Sequence, residues 1–331
     1  MTHSPLRVHI ENDSAIGPLF TVTPELLAAC EARHPAVAGQ WTATFGTDGA
    51  GFDANIAQAD ALLGWSFPKD RIAALAPKLT WIQLTGAGVD HLLPLDWLPP
   101  NVTLTNASGA HKPKIGEALL MAMLMLNSFI PALAHHQRRH EWHQRFATGI
   151  AGKTLLVVGL GQAGGAAAEM AKRFGMKVIA TARRKTAYAA ADAVHPPERL
   201  HELLPQADIV LVTVPLTPET RGLIGARELG LMKPGAGLVN LGRAGVVDDA
   251  ALMDALEREH LSGCVYDLED PAEHPVDPRL WTCRNLILIP HSLANDPDRF
   301  MANVLDIFFR NLEHRLVGRP LDNRVDPALG Y

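Results

Sequence analysis

The sequence predicts an α/β protein built from two doubly wound parallel-sheet domains, and three observations carry that expectation. At 331 residues the chain is longer than one ordinary core organises. Short apolar runs alternate with amphipathic stretches along most of its length, the pattern of strands joined by crossover helices. One strand-to-helix turn, TLLVVGLGQAGG, carries three glycines at fixed spacing.

Taken in order, residues 7–10, 59–65, 81–84 and 102–105 form the first series of expected strands. Next comes GEALLMAMLMLNSFIPALA, residues 116–134, long enough to resemble a membrane span. Glu117, Asn127, Ser128 and Pro131 interrupt it, so a buried helix is expected. A helix apolar on nearly all sides needs partners all round, and a second subunit, hence a homodimer, would supply some of them. A second strand series begins at Thr154 with TLLVV, KVIAT, DIVLVTV, GLVNL, GCVYDL and NLILIP. After Pro290 a polar stretch, HSLANDPDR, leads into an amphipathic helix, MANVLDIFFRNLEHRL, expected to return to the first domain. There is no repeat period, low-complexity tract or like-charge block.

Composition narrows the partners. With 47% hydrophobic and 20% charged residues and a formal net charge of −5, the chain offers nucleic acid no electrostatic footing. Cys30, Cys264 and Cys283 are too few and scattered for a disulfide framework or a CxxC site, and read as small core residues in a reducing compartment. The opening MTHSPLRVHIEND has no apolar stretch before a cleavage site, so a cytoplasmic location is expected. Neither histidines nor cysteines show metal-ligand spacing, and no metal is expected.

The glycine turn carries the chemistry. Gly159, Gly161 and Gly164 stand in G-x-G-x-x-G register between the strand TLLVV and the helix AAAEMAKRF, followed by the strand KVIAT. The first glycine permits the tight turn. The second lets backbone approach a pyrophosphate, and the third lets helix pack on strand. This is a Rossmann βαβ unit for a dinucleotide. An acid at the end of the next strand would bind the ribose hydroxyl of NAD; this chain has Thr181, Ala182, Arg183, Arg184 and Lys185 there. Guanidinium forks match a phosphate, so NADP is favoured, with NAD at lower preference.

The blocks ADIVLVTVPLTPETRGLIG, KPGAGLVNLGRAGVVDDAAL and LILIPHS follow in the order and spacing of the D-isomer-specific 2-hydroxyacid dehydrogenases. The chain resembles that family over essentially its whole length; TGAGVDHL and NASGAHKPKIGEALL are similar to its substrate loop and interdomain crossover. The tail NRVDPALGY and the turn ARRK resemble the glyoxylate/hydroxypyruvate reductase A subgroup. The resemblance implies a substrate domain of flavodoxin-like fold, residues 1–105, interrupted by a nucleotide domain, residues 106–291, and completed by residues 292–331. The active site would lie in the cleft between them, closing on cofactor and keto acid.

By the same resemblance Arg243 is the catalytic arginine, and chemistry agrees, since a 2-keto acid needs a fixed cation to grip its carboxylate and polarise its carbonyl. His291 would donate a proton to the keto oxygen as hydride arrives, a reversible task that suits histidine. Ala87 and Gly88 would hold the substrate carboxylate through backbone N–H groups. Gly159, Gly161, Gln162, Ala163, Gly164, Arg183, Arg184, Val214, Pro215, Leu241 and Asp267 would line the cofactor. Trp142 would approach the substrate pocket or sit in the core.

One position departs from the family pattern. The glutamate that pairs with the histidine lies five residues beyond the aspartate matched by Asp267, and here that position is Ala272. Glu273 is the nearest substitute, ahead of Asp270 and Glu269. Without a carboxylate beside His291, reductase activity is expected to fall off at lower pH than in relatives that carry the glutamate. Two other readings stand beside a 2-keto acid reductase. One is a family dehydrogenase oxidising another substrate, such as phosphoglycerate or phosphite. The other is a nucleotide-sensing interaction protein that keeps the fold and has lost turnover.

Overall fold

The computed structural model describes residues 4–269, 277–327 and 329–330. The chain forms two compact units, Met1–His111 with Asp296–Tyr331, and Lys112–Asn295. The first unit carries strands β1 (Leu6–Asn12), β2 (Trp41–Thr47), β3 (Ala61–Gly64), β4 (Trp81–Leu84) and β5 (Thr103–Thr105). All pair in parallel in the order β2-β1-β3-β4-β5, the flavodoxin-like arrangement. Strand β2 was not expected from the sequence. It is an edge strand with most of its side chains outside the core, so its residues, WTATFGT, lack a long apolar signal.

The helix Phe300–Leu316 belongs to this unit. It buries Phe300, Val304, Phe308 and Phe309, with Phe308 stacked on Trp81 at 5.3 Å between ring centroids. The Trp81 indole N–H donates to Thr105 Oγ1 at 2.8 Å, so this large side chain is buried without an unpaired donor. Residues 106–111 belong to the first unit, beyond the expected boundary, because Asn106 and Ala107 donate their N–H groups to Asn323 and Gly86 and Ala110 joins the core. Residues 292–295 stay with the second unit, where Leu293 is part of the core.

The second unit carries β6 (Thr154–Val158), β7 (Lys177–Thr181), β8 (Ala193–His195), β9 (Ile209–Val212), β10 (Gly237–Asn240), β11 (Gly263–Leu268) and β12 (Leu286–Pro290). They form one parallel sheet in the order β12-β11-β10-β9-β6-β7-β8. Strand order reverses between β6 and β9, and in such sheets ligands bind outside the carboxyl ends at that point. The central strands β9, β10 and β11 are buried throughout, which is why they read as unbroken apolar runs. Strand β8 escaped the sequence reading, being three half-buried residues at the sheet edge.

The apolar segment expected as one helix is two, Lys112–Asn127 and Ile130–Arg138, bent by 65°. Phe129 adopts the left-handed conformation at φ +57°, and Pro131 sits in the first turn of the second helix. The first helix buries Ile115, Leu119, Met123 and Leu126, while Met121 and Ile130 remain exposed. Among the described residues no single helix is long and apolar enough to cross a membrane. Cys30 and Cys264 are core residues; Cys283 is half-buried.

Candidate active site

Strand β6 ends at Val158, and the chain turns at Gly159 with φ +100°, where a side chain would be strained and would meet Val214 Cγ1 at 2.7 Å. A Cβ on Gly164 would run into the Gly159 carbonyl oxygen and lie 2.7 Å from Val157 Cγ1. A Cβ on Gly161 would meet nothing within 4 Å. So Gly159 and Gly164 are demanded by the fold itself, whereas Gly161 faces open space. The helix Gln162–Arg173, beginning with Gln162 and Ala163, has no side-chain cap at its amino end. Its first N–H groups face away from any helical acceptor, an arrangement that fits a pyrophosphate. Thr213, which the sequence reading did not single out, locks the turn by donating to the Gly159 carbonyl at 2.6 Å. Val214 and Pro215 follow directly.

Strand β7 ends beside this turn because the N–H groups of Gly159 and Leu160 both donate to the Thr181 carbonyl, at 3.2 and 3.0 Å. Arg183, Arg184 and Lys185 follow, all exposed. Lys185 folds back to donate to the Leu160 carbonyl at 2.9 Å. The sequence shows no acid in this turn, yet Glu219 comes within 3.8 Å of the Arg183 guanidinium. Both side chains are partly solvated, so the pair contributes little.

The carboxyl ends of β10, β11 and β12 lie side by side, with Asn240 opposite Tyr266 and Asp267 opposite Ile289. After β10, Leu241 donates its N–H to the Val212 carbonyl. Asn240 then shapes the following loop: its Oδ1 accepts from Gly242 N–H at 3.0 Å and its amide donates to the Arg243 carbonyl at 3.2 Å. On β11, Asp267 is buried, accepts the Ser292 N–H at 3.2 Å, and lies 3.8 Å from His291 Nδ1. Burial pushes the Asp267 carboxyl above its ordinary value, with His291 and the Leu293 and Ser292 N–H groups pulling the other way. His291 itself sits at φ +42°, an uncommon conformation for a non-glycine residue, with its side chain half-exposed.

These positions amend the expectation about the missing glutamate. Ala272, Glu273 and Asp270 lie outside the described residues. Glu269 pairs with the arginine loop: its carboxylate accepts the Ala244 N–H at 2.8 Å and lies 3.3 Å from Arg243 Nε. A carboxylate does stand near His291, and it is Asp267, brought there by the pairing of β11 with β12.

In the first unit, Ala87 and Gly88 follow β4 in a half-buried turn. The Asn106 amide donates to the Ala87 carbonyl at 2.8 Å, and a Cβ on Gly86 would collide with the Trp65 ring. That ring stacks on His91 at 3.9 Å, and burial lowers the His91 pKa. Trp142 is no core residue, being 94% exposed. Among the described residues no group of three or more His, Cys, Asp or Glu side chains gathers as metal ligands do.

The family model of the D-isomer specific 2-hydroxyacid dehydrogenase NAD binding domain matches residues 120–292. The fold matches that of a D-isomer specific 2-hydroxyacid dehydrogenase from Xanthobacter autotrophicus Py2, solved in complex with NADPH and MES, with a TM-score of 0.82 at 28% identity over 99% of this chain and 100% of that one. A glyoxylate reductase from Aeropyrum pernix is 32% identical over 252 residues, covering 72% of this chain and 74% of the relative. A D-3-phosphoglycerate dehydrogenase from Methanocaldococcus jannaschii is 34% identical over 223 residues, 66% of this chain but 42% of that longer protein.

Proposed function

The chain belongs to the D-isomer-specific 2-hydroxyacid dehydrogenase family, and from that premise we propose that it reduces a small 2-keto acid of the glyoxylate or hydroxypyruvate type with NADPH. The observation that carries this reading is the grouping of Arg243, Asp267 and His291 at the carboxyl ends of three adjacent strands in the sheet that bears the glycine turn. When bound, the nicotinamide supplies a hydride to the keto carbon. Arg243 holds the substrate carboxylate and draws electron density from the carbonyl. His291, protonated, gives its proton to the carbonyl oxygen as the C=O bond becomes an alcohol, and Asp267 steadies the imidazolium. In the first unit, the turn at Ala87 and Gly88 is the candidate for holding a carboxylate through backbone N–H groups.

Arg183 and Arg184 support NADPH over NADH, as does the absence of an acid at the end of β7. NADPH in the Xanthobacter relative agrees with that preference. The phosphoglycerate dehydrogenase relative favours a second reading, oxidation of a phosphorylated 2-hydroxy acid with NAD. Absorbance at 340 nm separates the two. Rapid NADPH consumption with glyoxylate or hydroxypyruvate is expected, and NAD reduction with 3-phosphoglycerate but no keto acid turnover would select the alternative. No turnover with any substrate would leave the nucleotide-sensing reading.

The protein is further proposed to be a homodimer. Met121, Ile130, Trp142 and Phe146 are exposed apolar side chains on and after the bent helix pair, a combination that invites cover by a second copy. Light scattering at micromolar concentration is expected to give twice the monomer mass; a monomeric mass would contradict the dimer.

A further inference from the structure

Asp267 lies near the end of β11, and Glu269 is the first residue beyond it. Asp267 serves His291. Glu269 is 7% exposed, and a buried carboxylate must be paired and hydrogen-bonded to persist as an anion. Its two oxygens divide between adjacent residues of the neighbouring loop: Oε2 accepts the Ala244 backbone N–H at 2.8 Å, and Oε1 lies 3.3 Å from Arg243 Nε. The Arg243 Nη1 donates to the Gly242 carbonyl at 3.1 Å. Backbone and side chain of the arginine loop are thereby tied to one buried acid on the next strand.

We propose that Glu269 is the positioning residue for Arg243, fixing the guanidinium plane before a carboxylate substrate arrives. The inference rests on the reading of Arg243 as the group that grips the substrate carboxylate. A long arginine side chain loses rotamer freedom when it binds, and holding its Nε end in advance removes part of that loss. The acid also ties two strand ends together, so that Arg243 keeps a fixed offset from Asp267 and His291. Substrate affinity, rather than cofactor affinity, therefore depends on Glu269.

The test combines kinetics with a spectrum that needs no turnover. Glu269→Leu removes both contacts, and Glu269→Gln keeps a neutral acceptor. The KM for the keto acid is expected to rise about a hundredfold in the first and about tenfold in the second, the steps that one or two lost charge-assisted contacts give. NADPH affinity, read by fluorescence titration, stays within twofold in both. In an Arg243→Lys background, which has no Nε, Glu269→Gln adds little further loss. In a 15N–1H spectrum of arginine side chains, the Nε–H resonance that disappears in Arg243→Lys also shifts or broadens in Glu269→Leu. An unchanged resonance, equal loss of NADPH and keto acid affinity, or full additivity in the Arg243→Lys background would overturn the proposal. Absence of keto acid turnover in the unmutated protein would overturn the reductase reading instead, and the spectrum would still decide whether Glu269 holds Arg243.

Discussion

At the amino edge of the seven-stranded sheet, Asp208 leads into β9 and accepts the Thr154 N–H at 2.7 Å and the Lys233 ammonium at 2.8 Å. At the carboxyl edge, Asp267 near the end of β11 has longer contacts, to Ser292 N–H at 3.2 Å and His291 at 3.8 Å. Burial pushes both carboxyls up. For Asp208 the Lys233 and Thr154 hydrogen bonds more than offset it, and the pKa ends below the ordinary value; for Asp267 burial wins, and the pKa ends above it. One edge spends its acid on closing the sheet. The other holds a buried acid with longer contacts and a raised pKa, the pattern that marks a candidate site.

The sharpest way to break that contrast is His291→Ala. It is expected to cut keto acid turnover about a thousandfold, the usual range for a lost general acid, while NADPH still binds by fluorescence titration. Near-normal turnover would remove His291 from the chemistry. The glycine turn offers the next largest effect, because its glycines separate fold from ligand. Gly161→Ala, at φ −82° and with open space around the new methyl, should leave Tm unchanged yet weaken NADPH binding at least tenfold. Gly164→Ala should instead lower stability by about 2 kcal/mol through the collision with the Gly159 carbonyl. Matching losses of Tm in the two variants would erase the distinction.

Smaller again, replacing Arg183 and Arg184 together with Ala is expected to raise the NADPH KM about tenfold and the NADH KM hardly at all. Equal changes would return the basic turn to a solvated surface. The smallest effect tests the two aspartates directly. Asp208 is about one-third exposed, so after screening its pair contributes about 1 kcal/mol. Its pKa is lowered in the folded protein, so that stability is present above the ordinary value of 3.8 and is lost as pH falls through the folded value. Asp267 has the opposite sign, its charge costing stability above 3.8 and the cost being relieved as it protonates. Denaturant titrations at pH 7 should therefore find Asp208→Asn less stable and Asp267→Asn no less stable than the unmutated chain, with both differences shrinking toward pH 3. Asp208→Asn should keep its kinetics.

Much of the carboxyl edge was legible in the sequence, because strand, glycine spacing and the residues after β10 and β12 are local signals. The two sheets and the existence of the last helix followed from apolar periodicity; which unit that helix joins did not. What escaped depended on pairing across the sheet. Edge strands β2 and β8 have too little buried surface to leave a pattern, and the bend at Phe129 reflects a single backbone conformation. Glu219 reaches Arg183, Thr213 reaches Gly159, and Glu269 reaches Arg243 only once parallel strands fix their register.

On the proposed function, hydride from NADPH and a proton from His291 reach a 2-keto acid at this carboxyl edge. Chiral analysis of the glycerate formed from hydroxypyruvate and NADPH tests it most directly. The D enantiomer alone is expected, in amounts equal to the NADPH consumed; L-glycerate, a racemate, or NADPH loss without glycerate would contradict it.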